Sequence, residues 1–229
     1  KDKTSYYGEL EYNLKSRQIL KPKELKINYI YGFNENPNSV NSLQLTSKVE
    51  KSYNKSSDKI SWRFFAGYHF NKEISEEYSF YLSGKNGQMD YLYDNTYLAR
   101  NSSNQNNLLS RQNDNSYGGF KAVDTTLRSN NWMISNNFKI DIPKLPIGVF
   151  ADIGLFQPTN LNSKLTLGYN AGVYFSLNIG DEILGIYLPI LYSENIGESL
   201  DDLKVLQRIS FIFNLQSINP FTIKKTLKP

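Results

Sequence analysis

The sequence predicts an all-β fold, an antiparallel up-and-down transmembrane β-barrel, and three observations predict it. Apolar and polar residues alternate with a period of two along most of the 229 residues, which is the period of a strand with two different faces. The alternating runs are mostly longer than the roughly 5–6 residues of a mean globular strand and reach the roughly 9–11 residues that a tilted membrane strand needs. Short and long connections take turns between them, as in outer-membrane barrels with tight turns on one side and extended loops on the other.

Composition narrows the class. Hydrophobic residues are 39% of the chain, yet it carries 17 tyrosines and 13 phenylalanines, so its apolar matter is largely aromatic. Mean hydropathy is −0.51 and no apolar run is long enough for a membrane helix. The absence of cysteine excludes disulfides and thiolate metal sites and suits an exported chain. A net charge of +4, from 26 basic and 22 acidic residues without like-charge blocks, speaks against nucleic acid as a partner. Tyr6-Tyr7-Gly8-Glu9-Leu10-Glu11-Tyr12 already alternates like mid-strand sequence, so the chain is expected to be a piece of something longer.

Spanning strands are expected at about 4–15, 24–33, 42–53, 59–70, 76–84, 88–100, 131–142, 146–156, 165–179, 182–192 and 206–216, roughly 11 to 12 in all. The clearest runs from Leu165 through Leu167, Tyr169, Ala171, Val173, Phe175 and Leu177 to Ile179, with Asn170, Ser176 and Asn178 on the other face. Ile60-Trp62-Phe64-Ala66-Tyr68-Phe70, Trp132-Ile134-Asn136-Phe138-Ile140-Ile142, Leu25-Ile27-Tyr29-Tyr31-Phe33 and Ile209-Phe211-Phe213-Leu215 repeat the pattern. Turn residues divide the runs at Asn34 to Asn38, Lys85-Asn86-Gly87, Pro143-Lys144-Leu145-Pro146 and Gly180-Asp181. The polar stretch 101–130 is expected to be one long loop holding Gly118-Gly119-Phe120-Lys121, which does not span. This alternation puts residue 1 on the outer side and the C-terminus in the periplasm. An odd strand count asks for at least one more strand upstream, because single-chain bacterial barrels have even numbers. One domain is expected over 1–229, strand-rich over 1–216, with a tail at 217–229.

Candidate chemistry is sparse, and no catalytic, cofactor-binding or metal residue is assigned. His69 is the only histidine, so it cannot form a paired-histidine zinc motif, and it reads as a girdle or loop-proximal residue. Asp90 and Asp94, four apart near Arg100, read as a lumen-facing ionic ladder on a strand; Asp201-Asp202 reads as solvated loop charge. Gly118-Gly119 lacks the lysine and helix of a phosphate loop and reads as a turn or bulge. Tyr6, Tyr7, Phe70, Tyr91, Tyr93, Tyr97, Tyr187 and Tyr192 suit an interfacial aromatic girdle.

Met89 to Asn101, Gly118-Gly119-Phe120-Lys121, Ile142 to Gly154, Tyr169-Asn170-Ala171-Gly172-Val173, Tyr187-Leu188-Pro189-Ile190-Leu191 with Ser193, Arg208-Ile209-Ser210-Phe211 and Asn219-Pro220-Phe221 carry a likeness. Together they resemble the C-terminal outer-membrane β-barrel region of Bacteroidota aminopeptidase N-like (gluzincin) metallopeptidases, over roughly residues 88–221. The His-Glu-x-x-His motif of the peptidase domain is absent here, so no catalytic residue carries over. The resemblance implies an anchor in the bacterial outer membrane for a peptidase domain upstream. Its expected partners are outer-membrane lipid and lipopolysaccharide, the peptidase domain and other outer-membrane chains. A porin-like channel is the alternative function, and a soluble β binding module the second.

Overall fold

The computed structural model describes residues 5–16, 21, 23–34, 40–53, 58–71, 74–90, 95–100, 108–122, 126–159, 165–179, 181–200 and 203–214. Eleven strands are described: β1 (Ser5–Ser16), β2 (Lys23–Asn34), β3 (Val40–Ser52), β4 (Lys59–His69), β5 (Phe80–Tyr81), β6 (Arg128–Ser129), β7 (Trp132–Asp141), β8 (Ile147–Phe156), β9 (Thr166–Ile179), β10 (Asp181–Tyr192) and β11 (Ser210–Phe213). One short helix, α1 (Glu194–Leu200), lies between β10 and β11.

Nine of the strands form one antiparallel sheet in the order β1-β2-β3-β4-β7-β8-β9-β10-β11, so every neighbour in space is the next long strand in the chain. The all-β class and sequential meander therefore stand. The sheet is open among the described residues, with β1 and β11 at its edges. On the β11 edge the backbone N–H of Asn113 donates to the carbonyl of Phe211 at 2.9 Å.

Two expected spanning strands are not found among the described residues. The run 76–84 is a 3₁₀ turn at Glu76–Tyr78 followed by the two-residue β5, which pairs only with β6. Phe80, Tyr81 and Leu82 are all buried, and three consecutive buried residues cannot sit on a wall that sends alternate side chains to opposite sides. The run 88–100 forms no strand among its described residues. β4 therefore pairs directly with β7, and the connection between them is 70–131. The last expected strand, 206–216, shrinks to β11, with a 3₁₀ turn at Val205–Arg208 before it.

Side-chain alternation is strict in β8 and clear in the neighbouring β9. β8 reads exposed, buried, exposed, buried over its ten residues, with Ile147, Val149 and Ile153 out and Phe150, Asp152 and Phe156 in. In β9, Tyr169, Val173 and Leu177 are exposed while Asn170 and Ser176 are buried; Phe175 is half-buried. The exposed face continues through Ile134, Phe138 and Ile140 of β7, Ile60, Trp62 and Tyr68 of β4, Leu43 of β3, Ile27, Tyr29 and Tyr31 of β2 and Leu10, Tyr12 and Leu14 of β1. Register places no charged residue on that face of β4, β7, β8 or β9. The hydrophobic face is the uncovered one, and the polar face is covered over β4 and β7 to β10, while β1 is exposed on both faces.

Connection 70–131 provides the cover. Phe80, Tyr81, Leu82, Tyr117, Phe120, Ala122 and Leu127 form one core with Phe65, Met133 and Phe156 from the sheet and Ile196 and Leu200 from α1. Nearer the opposite end Phe150, Tyr174, Tyr187 and Ile212 form a second cluster. Lys139 Nζ donates to the Tyr187 hydroxyl at 2.8 Å and lies 4.7 Å from the Tyr174 ring centre.

Candidate functional site

Pairing register builds the site. Arg63 of β4 stands opposite Asn137 of β7, Asn137 opposite Asp152 of β8, and Asp152 opposite Asn170 of β9. Four neighbouring strands thus present one row of polar side chains to the covered face. Toward the loop end the parallel row is Phe65, Ser135, Gly154 and Gly168, where the two glycines open a depression. Leu82 and Phe120 fill it: a Cβ on Gly168 would lie 2.9 Å from Leu82 Cδ2, and one on Gly154 would lie 3.2 Å from Phe120 Cε1.

Residues 117–122 are clamped on the polar row. Arg63 donates to Asn137 Oδ1 at 2.8 Å and to the Tyr117 carbonyl at 2.9 Å. Asn137 Nδ2 donates to the Gly118 carbonyl at 2.9 Å and to Asp152 Oδ1 at 3.0 Å. The backbone N–H of Lys121 donates to Asp152 Oδ2 at 3.1 Å. Asn170, with its amide nitrogen turned to Asp152, donates to Oδ2 at 2.7 Å and accepts from the Ala122 N–H at 2.8 Å. Ser210 of β11 donates to the Lys121 carbonyl at 2.5 Å. Lys121 Nζ returns to the Gly119 carbonyl at 2.7 Å and to Asn115 at 2.5 Å.

Glycine is required where the clamp closes. A Cβ on Gly118 would lie 2.2 Å from the Leu82 carbonyl oxygen, and Gly119 holds φ +64° with Arg63 Nη1 2.8 Å from where its Cβ would be. Only a residue without Cβ takes that backbone at that distance without strain. Gly118-Gly119 is therefore a docking element, more specific than the expected turn or bulge. The backbone ties it further, with Gly118 N–H on the Tyr81 carbonyl at 3.1 Å and Phe120 N–H on the Leu82 carbonyl at 3.0 Å.

The remaining candidates scatter. His69 is 3% exposed on the covered face, its ring stacked on Phe80 with centroids 3.9 Å apart, and so belongs to no girdle. Asp90 is not on a strand; it pairs with Arg100 at 2.7 Å inside the loop, and Asp94 lies outside the described residues, as do Tyr91, Tyr93, Asp201, Asp202 and the tail at 217–229. Tyr187 is fully buried in the second cluster, Tyr97 donates to Asp114 at 3.1 Å within the loop, and Tyr192 holds Arg208. Of the proposed girdle, Tyr6 and Phe70 are exposed at the loop end, with Tyr68 5.1 Å from Phe70 between ring centres; nothing is described of the Tyr7 side chain. Among the described residues no group of three or more histidines and carboxylates could hold a metal.

Arg63, Asn137, Asp152 and Lys121 were missed by sequence reasoning. Their signal is faint but present: Arg63 and Asp152 are each polar at the covered-face position between two apolar outward neighbours, as in Ala151-Asp152-Ile153, whereas Asn137 follows the polar Asn136 and carries no such mark. Chemically the arrangement pairs buried charges and satisfies backbone donors, which holds a loop in place. Comparison with protein-family models, curated proteins and solved structures returns no match for this chain.

Proposed function

We propose that this chain forms the wall of a bacterial outer-membrane β-barrel whose interior is stopped by its own loop, and that it anchors an attached domain. One observation carries the reading: a continuous apolar face across the sheet is exposed, while Asp152, Asn137, Asn170 and Ser176 on the opposite face are buried. A water-soluble sheet hides its apolar face, and an exposed apolar patch of this extent marks a surface meant for another apolar phase. Lipid supplies that phase, and barrel strands are the β-structure that tolerates it. Tyr6, Tyr31, Tyr68 and Phe70 at the loop end fit the head-group level, where amphipathic rings concentrate.

The filled interior supports an anchor over a channel. Phe80, Leu82, Phe120 and Tyr187 are at most 1% exposed where a pore would run. The attached domain, on the resemblance of residues 88–221, is a zinc peptidase. One observation favours a narrower second reading, a polar passage beside the loop: the inward face of β1 and β2 carries Glu11, Lys26 and Lys15, each more than one third exposed. Membrane fractionation tests the proposal. The chain should stay in outer membranes through alkaline carbonate and leave only with detergent; recovery in the carbonate supernatant would refute it. Planar-bilayer recording separates anchor from passage, since the anchor predicts no steady conductance.

A further inference from the structure

The loop between β10 and β11 changes face midway. Ile196 and Leu200 of α1 are buried in the core with the inserted loop, yet a few residues later Val205 is 59% exposed and Leu206, at 75%, is the most exposed large apolar side chain among the described residues. We propose that the turn Val205–Arg208 is a lipid-inserted wedge, with Val205 and Leu206 among the acyl chains of the outer leaflet. This rests on the membrane reading above.

Three observations favour lipid over water at this turn. First, the sheet has a notch there. β10 spans Asp181–Tyr192, but β11 pairs with it only over Leu184–Tyr187, so the loop-end part of β10 lacks a strand neighbour on that side. The turn is tied to this end of β10, because Arg208 Nη1 donates to the Tyr192 hydroxyl at 2.8 Å with its guanidinium 5.7 Å from the ring centre. Second, the apolar surface is continuous into the turn: Ile190 and Leu191, at this end of β10, are 55% and 65% exposed. Third, the outward pose is built. Arg111 Nη1 donates to the Leu206 carbonyl at 2.9 Å from the loop side, Gln207 N–H donates to the Lys204 carbonyl at 2.7 Å, and Lys204 N–H donates to Gln207 Oε1 at 2.9 Å. The Lys204 and Leu206 carbonyls and the Lys204 and Gln207 N–H groups are thus satisfied behind the two apolar side chains, which lowers the cost of insertion into hydrocarbon. The exposed Lys204 flanks them, and a long cationic side chain at a membrane boundary carries its charge to the head groups while the stem stays apolar.

Depth-resolved quenching tests the wedge, and the cysteine-free chain makes single-site labelling clean. The full polypeptide carrying Leu206→Cys, Val149→Cys or Glu77→Cys is labelled with bimane and placed in phosphatidylcholine vesicles containing lipid with a nitroxide on the upper acyl chain. Val149 reports the sheet wall and Glu77 the aqueous mouth. The expected result is strong nitroxide quenching and weak iodide quenching at 206, matching position 149 and opposite to 77. Iodide quenching at 206 like that at 77, with position 149 still lipid-quenched, overturns the wedge and leaves the anchor standing. Protection of position 206 from both quenchers means that a protein surface covers the turn, which also overturns it. Loss of nitroxide quenching at 149 overturns the membrane reading and the wedge together.

Discussion

Removing the Asp152 carboxylate should release the inserted loop from the sheet. The side chain is 2% exposed and accepts from three donors, the Asn137 amide, the Lys121 backbone N–H and the Asn170 amide. Asp152→Ala leaves all three buried without that acceptor, each costing about 1–3 kcal/mol, and strips a counter-charge from the cluster of Arg63 and Lys121. Removing one member of a buried charged cluster costs about 3–5 kcal/mol in total. The donors share that cost, so the whole variant is set at about 3–5 kcal/mol, which at about 1.4 kcal/mol per tenfold lowers the docking constant by a factor of about 10² to 4 × 10³. Hydrogen exchange by mass spectrometry reads this directly: amides of residues 118–122 should lose protection by that factor, while β8 and β9 keep theirs. Asp152→Asn retains shape and one acceptor and should lose about 1–3 kcal/mol. Unchanged protection of 118–122 in Asp152→Ala would refute the clamp.

Gly118→Ala should undock the same segment by sterics alone, because its Cβ would lie 2.2 Å from a backbone oxygen; trypsin should then cut after Lys121, which is 2% exposed in the parent, where no cut is expected. Burial pushes the Tyr81 hydroxyl up to about 12. Its folded value lies above the ordinary tyrosine value of about 10, so its contribution to stability is whole below that pH and is lost as pH climbs through the folded value; tyrosinate absorbance with denaturant titration reads it, and Tyr81→Phe should remove that component. Val149→Arg should destabilise the lipid-inserted chain by less than the about 2–4 kcal/mol of a mid-bilayer site, because Val149 lies two residues from the tight-turn end of β8, read as lowered yield of heat-modifiable folded protein on gels. With one histidine and no cysteine, the chain alone should hold no stoichiometric zinc and cleave no peptide, as metal analysis and an aminopeptidase assay would show; one tightly held zinc would redirect attention to His69.

Which face of each long strand is apolar was legible because period-two alternation is local. Leu167, Tyr169, Val173 and Leu177 announce a face without knowledge of their neighbours. What was illegible is non-local. Asp152 becomes a clamp only when register sets it beside Asn137 and Asn170 and a segment some thirty residues earlier folds back on it. The false strand at 76–84 arose because Phe80, Tyr81 and Leu82 are strand-forming types whose burial on a second surface cancels alternation. The run 88–100 misled similarly, since Tyr97 and Arg100 are spent on Asp114, Asp90 and the Asn95 carbonyl inside the loop. These two errors cancel in parity. β1 still begins at the end of the sheet where the long connection 70–131 emerges. β11 still runs toward the tight turn at Pro143–Pro146, as the loop-length argument expected.

The central claim is that the exposed apolar face meets lipid while the opposite face holds the loop, and photolabelling in native outer membranes tests it without any substitution. Lipids bearing a photoreactive group along the acyl chain, followed by peptide mapping, should mark Ile134, Phe138, Val149, Ile153, Tyr169 and Val173 and spare Phe120, Asp152 and Asn170. Labels on the second set, or none on the first, would contradict the account.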